Sequence, residues 1–171
     1  MGSIKFVIGP AGSGKSTFIQ CAFPQYSVVD LFDFQKQIDT PCYSVDAIEN
    51  SYLQTRDALA SAVQSGKNVV LEHTLLRAIR RPMYVEAVRS FTDEPIDIYV
   101  MQPTREDFAR FRKQRQLPPG DEEMAFLERP DKTEGFRAVY LVRPIVMLED
   151  IPKDAACLLR PTISKYSIFQ L

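Results

Sequence analysis

The chain has 171 residues, 45% of them hydrophobic and 25% charged, with a formal net charge of −1. That length favours one domain with a real core, and the balanced charge argues against a protein that holds duplex DNA or an anionic membrane by bulk attraction. No apolar run approaches the roughly 18 residues of a membrane span, and the first apolar run starts too early to leave room for a signal peptide.

That first run, Ile4-Lys5-Phe6-Val7-Ile8, reads as a strand. Behind it, Gly9-Pro10-Ala11-Gly12-Ser13-Gly14-Lys15-Ser16-Thr17 fills the phosphate-loop pattern G-x-x-x-x-G-K-[ST] at every required position, and the residues from Thr17 to Ala22 suit a helix. Strand, loop and helix in that order are the context the pattern needs. Glycines let consecutive amides approach an anion, Lys15 brings a point charge to the outer phosphates, and Ser16 brings a hydroxyl ligand for magnesium. The stretch predicts a nucleoside triphosphate site.

Tyr26 to Val29 reads as a short second strand ending at Asp30, with Asp33 close behind. Carboxylates just past a strand end face the crevice where open α/β sheets bind ligands; alternatively, Asp33 caps a helix beginning near Phe34. A longer helix is expected over 45–65, with Ser44 as its N-cap, Gly66 past its end, and Ile48, Tyr52, Leu59, Ala62 and Val63 at helical spacing. The continuous apolar run Val69-Val70-Leu71 suits a strand buried on both faces. It leads into Glu72-His73-Thr74, where Glu72 and Thr74 share a direction and could serve one ligand or one hydrated magnesium. A single His beside a strand end is more often a hydrogen-bonded structural residue than a base.

Arg77, Arg80 and Arg81 follow, then a helix with Pro82 in its first turn and an apolar stripe of Tyr84, Ala87, Val88 and Phe91. Ile96 to Met101 reads as a fourth strand and 105–116 as an arginine-rich helix that docks by Phe108 and Phe111 while Arg110 points away. Its basic residues, Arg110, Arg112, Lys113 and Arg115, serve equally well as a solvated face. Leu117-Pro118-Pro119-Gly120 stops that helix, a short acidic helix is expected over 121–128, and Ala138 to Val142 reads as a fifth strand. Residues 144–171 show no dominant period and are set down as a C-terminal extension of the single domain, 1–171. The cysteines, Cys21, Cys42 and Cys157, have neither disulfide-framework nor zinc spacing, so a reducing, cytoplasmic setting is expected.

These elements predict an α/β, three-layer P-loop NTPase fold, with a mostly parallel five-stranded sheet flanked by helices and an arginine-bearing lid. The guanine-specifying N/T-K-x-D element is missing, and one loop without a second lobe is a poor motor. What remains is phosphoryl transfer from ATP to a hydroxyl, which needs positioning, charge neutralisation and a carboxylate near the acceptor.

At Gly9 to Thr17, Asp30 to Phe34, Val69 to Thr74 with Arg80-Arg81, Pro103 to Arg115 and Glu134-Gly135-Phe136, the chain resembles the P-loop kinases, among them the 5′-hydroxyl polynucleotide kinases and the zeta-toxin type sugar-nucleotide kinases. The resemblance implies that Lys15 and Ser16 serve ATP and magnesium. It implies that Asp33, or else Asp30, activates the acceptor hydroxyl, and that Arg110 is the lid arginine near the transferred phosphate, with Arg115 beside it. Glu72, Thr74 and Arg77 then bind the acceptor. In the polynucleotide kinases Asp-Thr-Asn follows the third strand, where this chain has His73-Thr74-Leu75; in the zeta type an arginine directly follows Thr-Leu, where here Leu76 precedes Arg77. The acceptor class therefore stays open between a nucleotide, a single-stranded nucleic-acid 5′ end and another small metabolite. Two further readings stand beside the kinase: a nucleotide-responsive binding module without transfer, and a nucleic-acid binder using the basic residues between Arg77 and Arg115.

Overall fold

The protein is described here by a computed structural model covering residues 2–38, 44–144 and 166–171. Its six strands are β1 Ile4–Ile8, β2 Ser27–Asp30, β3 Val69–His73, β4 Ile96–Met101, β5 Ala138–Pro144 and β6 Tyr166–Gln170. They form one sheet in the order β2-β3-β1-β4-β5-β6. The first five run parallel and β6 lies antiparallel on β5, with Leu141 opposite Phe169. The expected five-stranded sheet is thus extended by one strand. β6 sits at an edge with Ile168 and Phe169 exposed, so it carries no inward-outward alternation by which it could have been read.

Burial explains why the central strands are continuous apolar runs. Phe6, Val7 and Ile8 are fully buried, and all of β3 is buried, as helices on both faces of a parallel sheet require. Successive residues feed opposite layers. Phe6, Ile8 and Leu71 pack with Leu59 and Val63 of α3 (Val45–Gln64) and with Tyr84 and Val88 of α4 (Arg81–Arg89), while Val7 and Val70 pack with Phe18 and Ile19 of α1 (Lys15–Ala22). The one charge on β1, Lys5, lies beside Asp97 on β4 and donates to its carboxylate at 2.6 Å.

Helix starts follow their side chains. Ser44 Oγ accepts from the Ala47 amide at the head of α3, and Thr104 Oγ1 from the Asp107 amide at the head of α5 (Arg105–Gln114). Some boundaries depart from expectation. The helix after β2 is α2, Leu31–Gln35, and its N-cap is Asp30, which accepts from Phe32 N at 2.9 Å; Asp33 lies inside the first turn. Phe91 falls beyond α4 and is exposed, while Val85 takes its place in the buried stripe. The acidic helix α6 is shorter than expected, Asp121–Ala125.

The chain crosses from β1 to the far edge at β2, returns through β3, and passes to the other side of β1 at β4. β1 is therefore the point where strand order reverses, and the crevice outside its carboxyl end is where open sheets of this kind take ligands.

Candidate active site

The loop leaving β1 is built on backbone that other residues resist. Gly14, the residue before α1, has φ of 92°, and Gly12 has φ of 80° with room for a Cβ only 3.0 Å from Arg112 Cγ. Lys15 folds back over the loop and donates to the carbonyl oxygens of Gly9 and Pro10 at 3.0 and 3.1 Å. Ser13 Oγ is buried without a hydrogen-bond partner among the described residues. A buried hydroxyl without a partner among the described residues and a lysine turned onto the loop carbonyls suit an anion-binding loop.

Beside the loop lies a cavity of about 370 Å³, lined among others by Lys15, Ser16, Asp30, Glu72, Thr74 and Arg115. Parallel pairing of β2 with β3 sets Asp30 opposite Glu72 at the strand ends, and β3 beside β1 brings Glu72 to α1, where Ser16 Oγ donates to Glu72 Oε1 at 2.7 Å. Burial pushes the Lys15 ammonium below its ordinary value, against the pull of Glu72 and Asp30. Burial likewise pushes both carboxyls up: Glu72 against the Ser16 hydrogen bond, Asp30 against the Phe32 amide. Among the described residues no group of three or more His, Cys, Asp or Glu could hold a metal unaided. The Ser16 hydroxyl and Glu72 carboxylate are the hard oxygen donors magnesium takes, the rest of its shell coming ordinarily from phosphate and water.

His73 faces the layer beneath. Its Nδ1 accepts from the Leu75 amide at 3.1 Å, so the proton sits on Nε2, which lies 2.8 Å from the Tyr84 hydroxyl. Burial, with Lys15 adding to it, lowers its pKa to about 3, a neutral structural imidazole.

The other predicted residues separate. Pro10 and Ala11 lie in the loop, Thr17 lies in the first turn of α1, and Ala11 and Gly12 line the cavity. Thr74 lines both this cavity and a second, neighbouring one, and the exposed Arg77 lines only the second. Asp33 stays outside the cavity lining, its side chain 66% exposed and paired with Lys36 at 3.2 Å. Arg110 also stays outside it, paired with Asp107 at 2.8 Å, whereas Arg115, at the end of α5, lines it. The expectations favouring Asp33 and Arg110 thus meet a geometry that gathers Asp30 and Arg115 instead. About one turn separates Asp33 from Asp30, and about one and a half turns separate Arg110 from Arg115.

Of two further partners, Glu123 had no sequence signal, and Arg112, which the sequence left equally open to a solvated face, does not lie on one. Arg112 is buried, with Nη1 donating to the Ala11 carbonyl at 3.0 Å and to Glu123 at 2.9 Å, and the other oxygen of Glu123 accepts from the Ala11 amide at 3.2 Å. The span from α5 to α6 is therefore tied onto the phosphate loop by an arginine and a carboxylate that lie far from it in sequence.

A phosphate loop at the reversal point of a parallel sheet, with a carboxylate on the loop serine and a helical flap above, defines a P-loop kinase-like domain. The chain belongs to the AAA domain family AAA_33, whose pattern matches residues 4–132. Solved structures of similar fold include a sugar kinase from Janibacter sp. HTCC2649 (14% identity, 77% of this chain and 80% of that one, TM-score 0.57). They include a gluconokinase from Sinorhizobium meliloti 1021 (16%, 91% and 90%, TM-score 0.56), and the tunicamycin resistance protein of Deinococcus radiodurans (14%, 81% and 85%, TM-score 0.55). No curated protein matches the chain. No described helix is long and apolar enough to cross a membrane.

Proposed function

We propose that this protein is an ATP- and magnesium-dependent kinase that transfers the γ-phosphoryl group to a hydroxyl of a small anionic acceptor. The observation that carries the reading is the convergence of Lys15, the Ser16–Glu72 pair, Asp30 and Arg115 on one cavity. Ser16 and Glu72 would hold magnesium, which would supply charge neutralisation to the phosphate oxygens. The amides of the loop and the helix start cradle the polyphosphate, and Lys15 exchanges its two carbonyl partners for phosphate oxygens. Glu72 holds the Ser16 hydrogen, which keeps the oxygen lone pairs turned outward. Arg115 faces the equatorial oxygens of the group in flight. Asp30 orients the acceptor hydroxyl and takes its proton as the new O–P bond forms and the bond to the β,γ-bridging oxygen breaks, with ADP leaving and the proton passing to solvent.

A bound polyphosphate gives the buried Lys15 ammonium a counter-charge. Because the Asp30 carboxyl is raised above its ordinary 3.8, transfer is expected to fall with decreasing pH at a value above that one. Transfer of labelled phosphate from ATP across a panel of hydroxyl acceptors tests the reading. Lys15→Ala should lose ATP binding and transfer together. Asp30→Asn should keep binding and lose transfer by about 10²- to 10⁴-fold, and Asp33→Asn should keep both. Tight ATP binding with no transfer to any acceptor would instead support the nucleotide-responsive module.

The nucleic-acid reading draws less support. Arg80, Arg81, Arg105, Arg110 and Arg112 are each paired with a carboxylate of the same chain, which leaves little free charge for a phosphate track.

A further inference from the structure

The second cavity, of about 240 Å³, adjoins the first through His73 and Thr74, which line both. Its character is different. Tyr52, Tyr84 and Phe126 line it together with Leu75, Leu76 and Met83, so flat and apolar surface dominates. The shared wall presents the His73 ring with both nitrogens engaged, Nε2 2.8 Å from the Tyr84 hydroxyl and Nδ1 accepting from the Leu75 amide. Phe126 is 49% exposed, an aromatic ring left at the opening instead of in a core.

Charge is confined to two arginines. Arg80 lies over the Tyr52 ring at 5.5 Å, and Glu49 holds it through two hydrogen bonds of 2.8 and 2.5 Å, so its charge is spent. Arg77 lies over the Phe126 ring at 5.1 Å, and among the described residues no carboxylate pairs with it. The lining is thus a set of aromatic faces with one uncompensated guanidinium. Aromatic faces select a flat ring, and a guanidinium stacked on one of them is oriented to receive an anion at its edge. In the first cavity, by contrast, Asp30 and Glu72 stand against Lys15 and Arg115, so an acceptor's negative group meets its best partner at Arg77.

We propose that the acceptor is bipartite: its reacting hydroxyl lies at Asp30, and an aromatic ring bearing an anionic substituent lies in the second cavity, with the ring between Tyr52 and Phe126 and the anion on Arg77. This rests on the kinase reading of the first cavity and adds the chemical class of its acceptor. Small polyols fill only the first cavity and bind weakly. Nucleoside monophosphates carry hydroxyl, ring and anion together, and simple aryl phosphates carry the ring and the anion without the hydroxyl.

The test is titration calorimetry on the full chain saturated with magnesium and ADP, so that the phosphate loop is filled before a probe is added. The probes are cytidine 5′-monophosphate and 4-nitrophenyl phosphate as aromatic anions, cytidine as the neutral aromatic, and ribose 5-phosphate as the anion without a ring. At least one aromatic anion should bind tenfold or more tighter than both cytidine and ribose 5-phosphate. Equal binding of the two aromatic anions points to the ring and the phosphate alone as the recognised unit, and preference for the nucleotide points to the sugar as well. Arg77→Ala should abolish the advantage over cytidine, and Phe126→Ala the advantage over ribose 5-phosphate. Both residues are exposed enough for the variants to fold, which their unfolding temperatures check. Equal affinities for all four probes, or variants that bind like the parent, overturn the proposal. Failure of ADP to bind in the first place strikes instead at the reading of the phosphate loop.

Discussion

His73 is the residue whose surroundings say most about how this site is supported. Leu75 N–H and the Tyr84 hydroxyl occupy its two ring nitrogens, and Tyr84 in turn donates to the Tyr52 carbonyl at 3.3 Å. The chain of bonds fixes the end of β3, and with it Glu72 and Thr74 on either side. Its folded-state pKa is depressed from 6.5 to about 3, so between those values the unfolded chain binds a proton that the native one refuses. Stability is therefore expected to fall as pH drops through that window, with a slope of about 1.4 kcal/mol per unit. Urea titrations between pH 7 and 4 measure it, and His73→Gln should flatten the slope. Glu72 and Thr74 could be singled out from the sequence because strand alternation places them together; Asp30 and Asp33 could not be told apart, because the choice depends on where α2 begins.

At the scale of elements, the telling contact is the one between α6 and the phosphate loop. Glu123 sets a carboxylate on the Ala11 amide, a group otherwise available to a phosphate, and Arg112 locks that carboxylate in place. An incoming polyphosphate meets a negative charge already at the loop. Glu123→Gln removes that charge and keeps one acceptor oxygen for Arg112, while its NH2 can no longer accept from the Ala11 amide, so ATP–magnesium should bind about three- to tenfold tighter, read by titration calorimetry. An unchanged dissociation constant would mean the flap opens at no electrostatic cost. Helix α5 itself was legible: Phe108 and Phe111 dock, as their spacing requires. Which arginine reaches the site was not, since Arg110, Arg112 and Arg115 differ by less than two turns, and only the angle at which α5 meets the loop selects between them.

For the molecule as a whole, Arg81 is the fastening that ties remote segments together. It is fully buried at the start of α4 and donates to Glu134 at 2.5 and 2.9 Å, to the Leu75 carbonyl at 3.1 Å and to the Glu128 carbonyl at 3.0 Å. It thereby joins the exit of β3 to the segment after α6 and to the turn before β5. Removing one partner of a buried pair leaves the other charge unsatisfied, so Arg81→Ala should cost about 3–5 kcal/mol in urea unfolding. Arg80→Ala next to it, with an exposed partner, should change little.

What the sequence determined by itself was whatever depends on neighbours along the chain. The phosphate loop, the cap at Ser44, the buried runs of β1 and β3 and the breaks around them all follow from local sterics and hydrophobic period, and they suffice for the α/β class. What only the tertiary structure decided was whatever needs two distant segments to meet: the sixth strand at the sheet edge, the lining of the cavity by Asp30 and Arg115 and not by Asp33 and Arg110, and the grip of Arg112 and Glu123 on the loop. The physical reason is that a side chain's role at a site depends on its direction and distance from groups far away in sequence, and a shift of one residue in a helix start turns that direction by about 100°.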